Sequence, residues 1–122
     1  MFIGMAQESS VEDLVRRAQE GDPGAFAAIS DLYRRRVEAL AASRMAPALR
    51  RKIPVDDVVQ ETFVRAFESI GRFRWRGEDS FMRWIGTISR NVVARAAREK
   101  GISLDLELSH DLGEFGVEIL LG

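Results

Sequence analysis

The chain has 122 residues, 46% of them hydrophobic and 30% charged, enough for one domain with a real core. It has no cysteine, which excludes disulfides and cysteine-rich zinc sites and suits a reducing, cytoplasmic compartment. The opening MFIGMA is too short for a signal-peptide apolar core, and no apolar run reaches membrane-spanning length, so no membrane partner is expected.

The net charge of −1 is unevenly spread. Residues 102–122 hold Asp105, Glu107, Asp111, Glu114 and Glu118 and no lysine or arginine, which leaves a balance of +4 for residues 1–101. A mildly basic body therefore precedes an acidic tail. Residues 1–10 are expected to be a flexible N-terminus.

In chain order, Ser10 with Asp13 reads as a cap and its acidic N3 partner, with Leu14, Val15 and Ala18 on one side and Gly21 as the stop. This predicts a short helix over 11–20. Asp22 followed by Pro23 caps the next one, in which Phe26, Ile29, Tyr33, Val37 and Leu40 recur at helical spacing as far as about Arg44. The segment MAPALRRKIP, with Pro47 and Pro54 around a basic Arg50, Arg51 and Lys52, reads as a connector with one helical turn.

A third helix is predicted from Val55, with Asp56 and Asp57 at the positive end of its dipole. Val55, Val58, Val59, Thr62, Phe63, Ala66, Phe67 and Ile70 form its inward stripe, while Asp57, Gln60, Glu61, Val64, Arg65 and Glu68 face outward. After Gly71 comes RFRWRGEDS, which places Phe73 and Trp75 among Arg72, Arg74 and Arg76. Such interleaving suits stacking on unpaired bases beside phosphate contacts. Phe73 suits either that role or the core, and Trp75 is the leading stacking candidate.

A fourth helix is predicted to start after Asp79 or Ser80 and to bury Phe81, Trp84, Ile85, Ile88 and Val92. Its opposite side carries Arg83, Thr87, Arg90, Asn91, Ala94 and Arg98. The expected fold class is thus all-α, a compact bundle of three long helices and a short N-terminal one. ISLDLELS, in the irregular acidic tail, reads equally as a strand or an extended linker.

Catalytic chemistry finds no support in these residues. His110 is the only histidine, adjacent Asp56 and Asp57 point in different directions on a helix, and no phosphate loop or nucleophile motif appears. No cofactor or metal site is expected.

The order DxVQETF, an apolar helix, an arginine- and aromatic-bearing loop, then SFxRWIxxISRNVVxRxxR resembles region 2 of bacterial RNA polymerase sigma factors, especially the extracytoplasmic-function group. The resemblance covers roughly residues 11–100. It implies a helical domain that docks on the clamp helices of the largest subunit of core RNA polymerase. It also implies recognition and melting of the promoter element just upstream of the start site by capture of non-template-strand bases.

On that basis Asp57, Gln60, Glu61, Val64 and Glu68 match the polymerase-binding helix. Arg72, Arg74, Trp75 and Arg76 fall in the base-capturing loop, and Arg83, Thr87, Arg90, Asn91 and Arg98 match the promoter-reading face. Arginines there can hold phosphates and Asn91 a base edge. The family's second, helix-turn-helix domain is expected to be absent, with residues 101–122 as a linker or tail. A second reading is therefore a protein-binding helical module, engaging a partner such as an anti-sigma factor, without autonomous promoter activity.

Overall fold

The computed structural model describes residues 10–102. Five α-helices and one 3-10 turn make up this part: α1 (Ser10–Gln19), α2 (Pro23–Arg44), α3 (Pro47–Arg50), α4 (Val55–Ser69), the 3-10 turn (Ile70–Arg72) and α5 (Glu78–Glu99). Among the described residues there is no strand, and the expected all-α bundle of three long helices and a short first one is what forms. The connector contains its single helical turn as α3. His110 and the ISLDLELS segment after Ile102 lie outside the described residues.

The α1–α2 corner is built from local chemistry. Gly21 takes φ 97°, a left-handed conformation that glycine adopts without steric cost. Its N–H donates to Ala18 O and the Asp22 N–H to Arg17 O, the paired closure of a Schellman motif. Asp22 also caps α2, its carboxylate accepting from the N–H groups of Gly24 (2.9 Å) and Ala25 (3.2 Å). Arg17 reaches the same carboxylate at 3.1 Å. The backbone donors together with Arg17 hold the Asp22 carboxyl below the ordinary carboxylate range. Within α1 the Asp13 carboxylate pairs with Arg16 and, at 3.8 Å, with Arg17.

The core lies where α2, α4 and α5 meet, with Ile29, Val37, Leu49, Val58, Val59, Phe81 and Ile85 fully buried. Each such side chain contributes about 1.5–3 kcal/mol by leaving water. Thr62 is tolerated at the centre because its hydroxyl donates to Val58 O at 2.7 Å. Helices α2 and α5 approach closely at Gly86, where a Cβ would stand 3.3 Å from the Leu40 side chain. Arg44 fixes that crossing by donating to Gly86 O at 2.6 Å.

Two sequence expectations change here. The α5 helix begins at Glu78, with Gly77 as its cap at φ 105°, so neither Asp79 nor Ser80 is the capping residue. Ser80 works from inside the first turn, accepting from the Arg76 N–H (3.0 Å) and donating to Gly77 O (2.7 Å). Phe67, expected on the inward stripe, is 45% exposed and touches the bundle through an edge contact with Phe26 at 4.9 Å between centroids.

Candidate nucleic-acid and polymerase interface

The loop between α4 and α5 is anchored by one aromatic side chain. Phe73 is 4% exposed and meets Trp75, Phe81 and Trp84 at centroid distances of 6.4, 5.5 and 5.0 Å. Of the two roles open to it, the structure gives it the core. Trp75 is half-buried, its ring edge-on to Phe73, while Arg72, Arg74 and Arg76 are exposed. From Phe73 to Arg76, alternation along an extended segment explains this pattern, because successive side chains point to opposite sides. The loop thus presents three guanidinium groups around one partly accessible indole.

Backbone groups at the loop's root are held from elsewhere. The Gln19 side-chain amide donates from Nε2 to Ile70 O (3.0 Å) and to Phe73 O (2.7 Å). Sequence reading missed this residue. Its position one turn after Val15, beside the buried stripe of α1, was the available signal.

Along α4, Asp57, Gln60, Val64 and Glu68 are exposed, and Glu61 is half-buried with its carboxylate 2.7 Å from Arg65 Nε. Val64 is 48% exposed, so with Phe67 an apolar pair one turn apart stands among the polar groups. Phe67 was not among the expected contact residues. Asp56 is drawn toward Arg34 of α2, 3.5 Å away, and separates in direction from Asp57.

On α5, Arg83, Thr87, Asn91 and Arg98 are exposed, and the Thr87 hydroxyl donates to Arg83 O at 3.2 Å. Arg90 is a correction: it is 8% exposed, not on the outward face. It follows Gly86 by one helical turn, on the flank that α2 covers, so its stem is enclosed where the flanking arginines are not.

Helices α4 and α5 leave a groove between them. One part, about 260 Å³, is lined by Asp57, Glu61, Arg65, Arg95 and Glu99 over an apolar floor that includes Val58 and Val92. An adjoining part of about 250 Å³ shares Arg65, Val92 and Arg95 and adds Ser69, Ile88 and Asn91. Asp57, Glu61 and Arg65 of α4 and Asn91 of α5, read from sequence as parts of separate faces, therefore border two neighbouring hollows with Arg65, Val92 and Arg95 in common. Among the described residues no cluster of His, Asp or Glu is arranged to hold a metal, and no helix is long and apolar enough to cross a membrane.

This frame can be set beside known proteins. Residues 29–101, which contain most of α2 and all of α4, the loop and α5, match the family model described as Sigma-70 region 2. The chain belongs to that family. The family is non-enzymatic.

Among its relatives, the region 2 domain is 35% identical over 97 residues to the ECF RNA polymerase sigma-E factor of Haemophilus influenzae, covering 80% of this chain and 48% of that protein. It is 34% identical over 106 residues to the ECF RNA polymerase sigma factor BldN of Streptomyces coelicolor, covering 87% and 38%. It is 32% identical over 106 residues to the ECF RNA polymerase sigma-E factor of Escherichia coli K12, covering 83% and 52%. The chain thus spans about half the length, or less, of these relatives. No solved structure matches significantly. The first helix, α1, lies ahead of the segment that the family model matches.

Proposed function

We propose that this domain serves transcription initiation in the cytoplasm by binding core RNA polymerase through α4 and receiving promoter DNA on the α4–α5 loop and α5. The observation that carries the reading is the division of labour in the loop, with Phe73 buried as an anchor and Arg72, Arg74 and Arg76 exposed around Trp75. Extracting a base costs on the order of a few kcal/mol, which stacking on an indole and phosphate contacts offset. Trp75 supplies the stacking edge, and the loop arginines supply phosphate contacts. Arg83, Thr87, Asn91 and Arg98 extend the positive, hydrogen-bonding surface along α5. Arg90, being enclosed, supports that surface from beneath.

Asp57, Gln60, Glu61, Val64 and Glu68 form the polymerase-facing surface, to which the exposed Phe67 adds apolar area. Carboxylates there set orientation against the basic clamp helices, and the apolar pair supplies desolvation energy. Exposed Val64 and Phe67 also favour a second reading, a protein-binding module that engages an anti-sigma factor without promoter activity.

Fluorescent single-stranded promoter DNA, titrated with the full chain at several salt concentrations, separates the two. A promoter reader binds with sequence preference and with affinity that falls steeply as salt rises. Binding without either property leaves only the protein module. Independently, replacing Gln60 and Glu61 by Ala should weaken binding to core polymerase, and unchanged affinity sinks the α4 interface.

A further inference from the structure

The loop at the centre of the proposed site is bracketed by two backbone carbonyls, Ile70 O before the 3-10 turn and Phe73 O after it. Both accept from the single Nε2 of Gln19, at 3.0 and 2.7 Å, so both protons of that amide are used. The Phe73 N–H also donates to Ile70 O at 3.1 Å, which closes the turn on itself. The side chains of Ile70 and Phe73 pin the turn to the core, and Gln19, 51 and 54 positions away, holds its backbone as well.

Gln19 can do this because its own position is determined twice. It is the last residue of α1, and the helix is closed immediately after it by the Gly21 and Asp22 N–H groups. Asp22 in turn caps α2 and binds Arg17. The amide therefore projects from a corner fixed to both α1 and α2. Two part-buried hydrogen bonds are worth more than exposed ones, because solvent competes less for them.

We propose that Gln19 is a positioning residue for the α4–α5 loop, and that α1, though ahead of the matched family segment, is a working part of the DNA-receiving site. The inference rests on the promoter-strand reading for its functional consequence, while the tether itself is tested without DNA. By holding Phe73 O, Gln19 sets the direction in which Arg74, Trp75 and Arg76 leave the bundle. Preorganised in this way, the loop loses less conformational freedom when a strand binds.

The test compares the full wild-type chain with Gln19→Leu, which removes both donors, Gln19→Glu, which sets a carboxylate against two carbonyl oxygens, and Gln19→Lys, which restores a donor. Amide hydrogen exchange is followed over residues 72–76 and over the core of α2. Affinities are measured for a labelled single-stranded promoter oligonucleotide and for core RNA polymerase.

Gln19→Leu and Gln19→Glu should speed exchange in the loop by roughly tenfold, leave α2 unchanged, and weaken the oligonucleotide roughly five- to tenfold. Polymerase affinity should stay within about twofold, and Gln19→Lys should recover most of the loss. Loop exchange equal to wild type, or exchange accelerated equally throughout the bundle, overturns the tether. If Gln19→Leu does not fold, Gln19→Glu and Gln19→Lys carry the same comparison. Accelerated loop exchange in a chain whose wild type binds no oligonucleotide keeps the tether and removes the promoter-strand reading instead.

Discussion

Phe73 lies 5.0 Å from Trp84 between ring centroids, and this contact joins the basic loop to the second turn of α5. The loop is consequently part of the core at one residue and open to solvent at its neighbours. Phe73→Ala should cost about 3–5 kcal/mol of stability, as for other buried phenylalanines. Trp75→Ala, from a half-buried site, should cost less than half of that. Urea unfolding of the two variants measures the difference, and a loss below about 1 kcal/mol for Phe73→Ala sinks the anchor role.

Phe67 is the reverse case, an aromatic residue with little structural duty. Its ring is 45% exposed and meets the Phe26 ring edge-on. Phe67→Ala should lower stability by no more than about 1.5 kcal/mol, yet weaken core-polymerase binding by about tenfold or more, as expected when an aromatic hot spot is truncated. Calorimetric titration with core enzyme provides the check. A large stability loss with unaltered affinity would return Phe67 to a purely structural role.

Tyr33 gives the bundle a dependence on alkaline pH. Burial raises its pKa above the ordinary 10.0, with Glu78 and Asp79 adding to the rise and the Arg36 guanidinium, 5.3 Å from the ring centre, opposing it. The native state therefore keeps the phenolic proton at pH values where the unfolded chain has released it. Stability from neutral Tyr33 is complete below about pH 10 and is lost as pH rises through the raised native value. As the only tyrosine in the chain, Tyr33 can be titrated directly by tyrosinate absorbance, native against urea-unfolded. Tyr33→Phe should abolish this part of the alkaline loss, and a native titration at or below 10.0 contradicts the assignment.

Ser89 is fully buried on α5, and its hydroxyl has no hydrogen-bond partner among the described residues. An unsatisfied buried hydroxyl costs about 1–3 kcal/mol, and alanine is also the better helix former. Ser89→Ala should raise stability by about 1 kcal/mol, seen as a higher thermal midpoint. A lower midpoint would show that the hydroxyl does more than fill space.

Much of this architecture is written locally. Asp22 and Pro23 start α2, and the spacing of Val58, Thr62, Phe63 and Ala66 directs α4 inward, so three- and four-residue periodicity was enough to place them. The start of α5 was misplaced because Gly77, which has no side chain to cap with, ends the loop through its positive φ. Arg90 was read as outward because periodicity describes one helix at a time, and its burial follows from where α2 crosses. Phe67 failed for the complementary reason, since the edge of an inward stripe depends on how far the neighbouring helix reaches.

The site divides along the same line. Exposure of Arg72, Arg74 and Arg76 was legible from alternation within one segment, and the order of motifs that resembles sigma region 2 was legible because it is linear. Gln19 was invisible because its two acceptors lie more than fifty residues downstream and are backbone carbonyls, which carry no residue signature.

The aromatic cluster has a practical consequence. The chain has two tryptophans, Trp75 and Trp84, and both touch Phe73. Tryptophan fluorescence therefore comes entirely from the two sides of the loop anchor. Any event that lifts the loop alters both emitters together, so the molecule carries an unlabelled optical gauge of its own loop docking, readable in real time while polymerase or DNA is added.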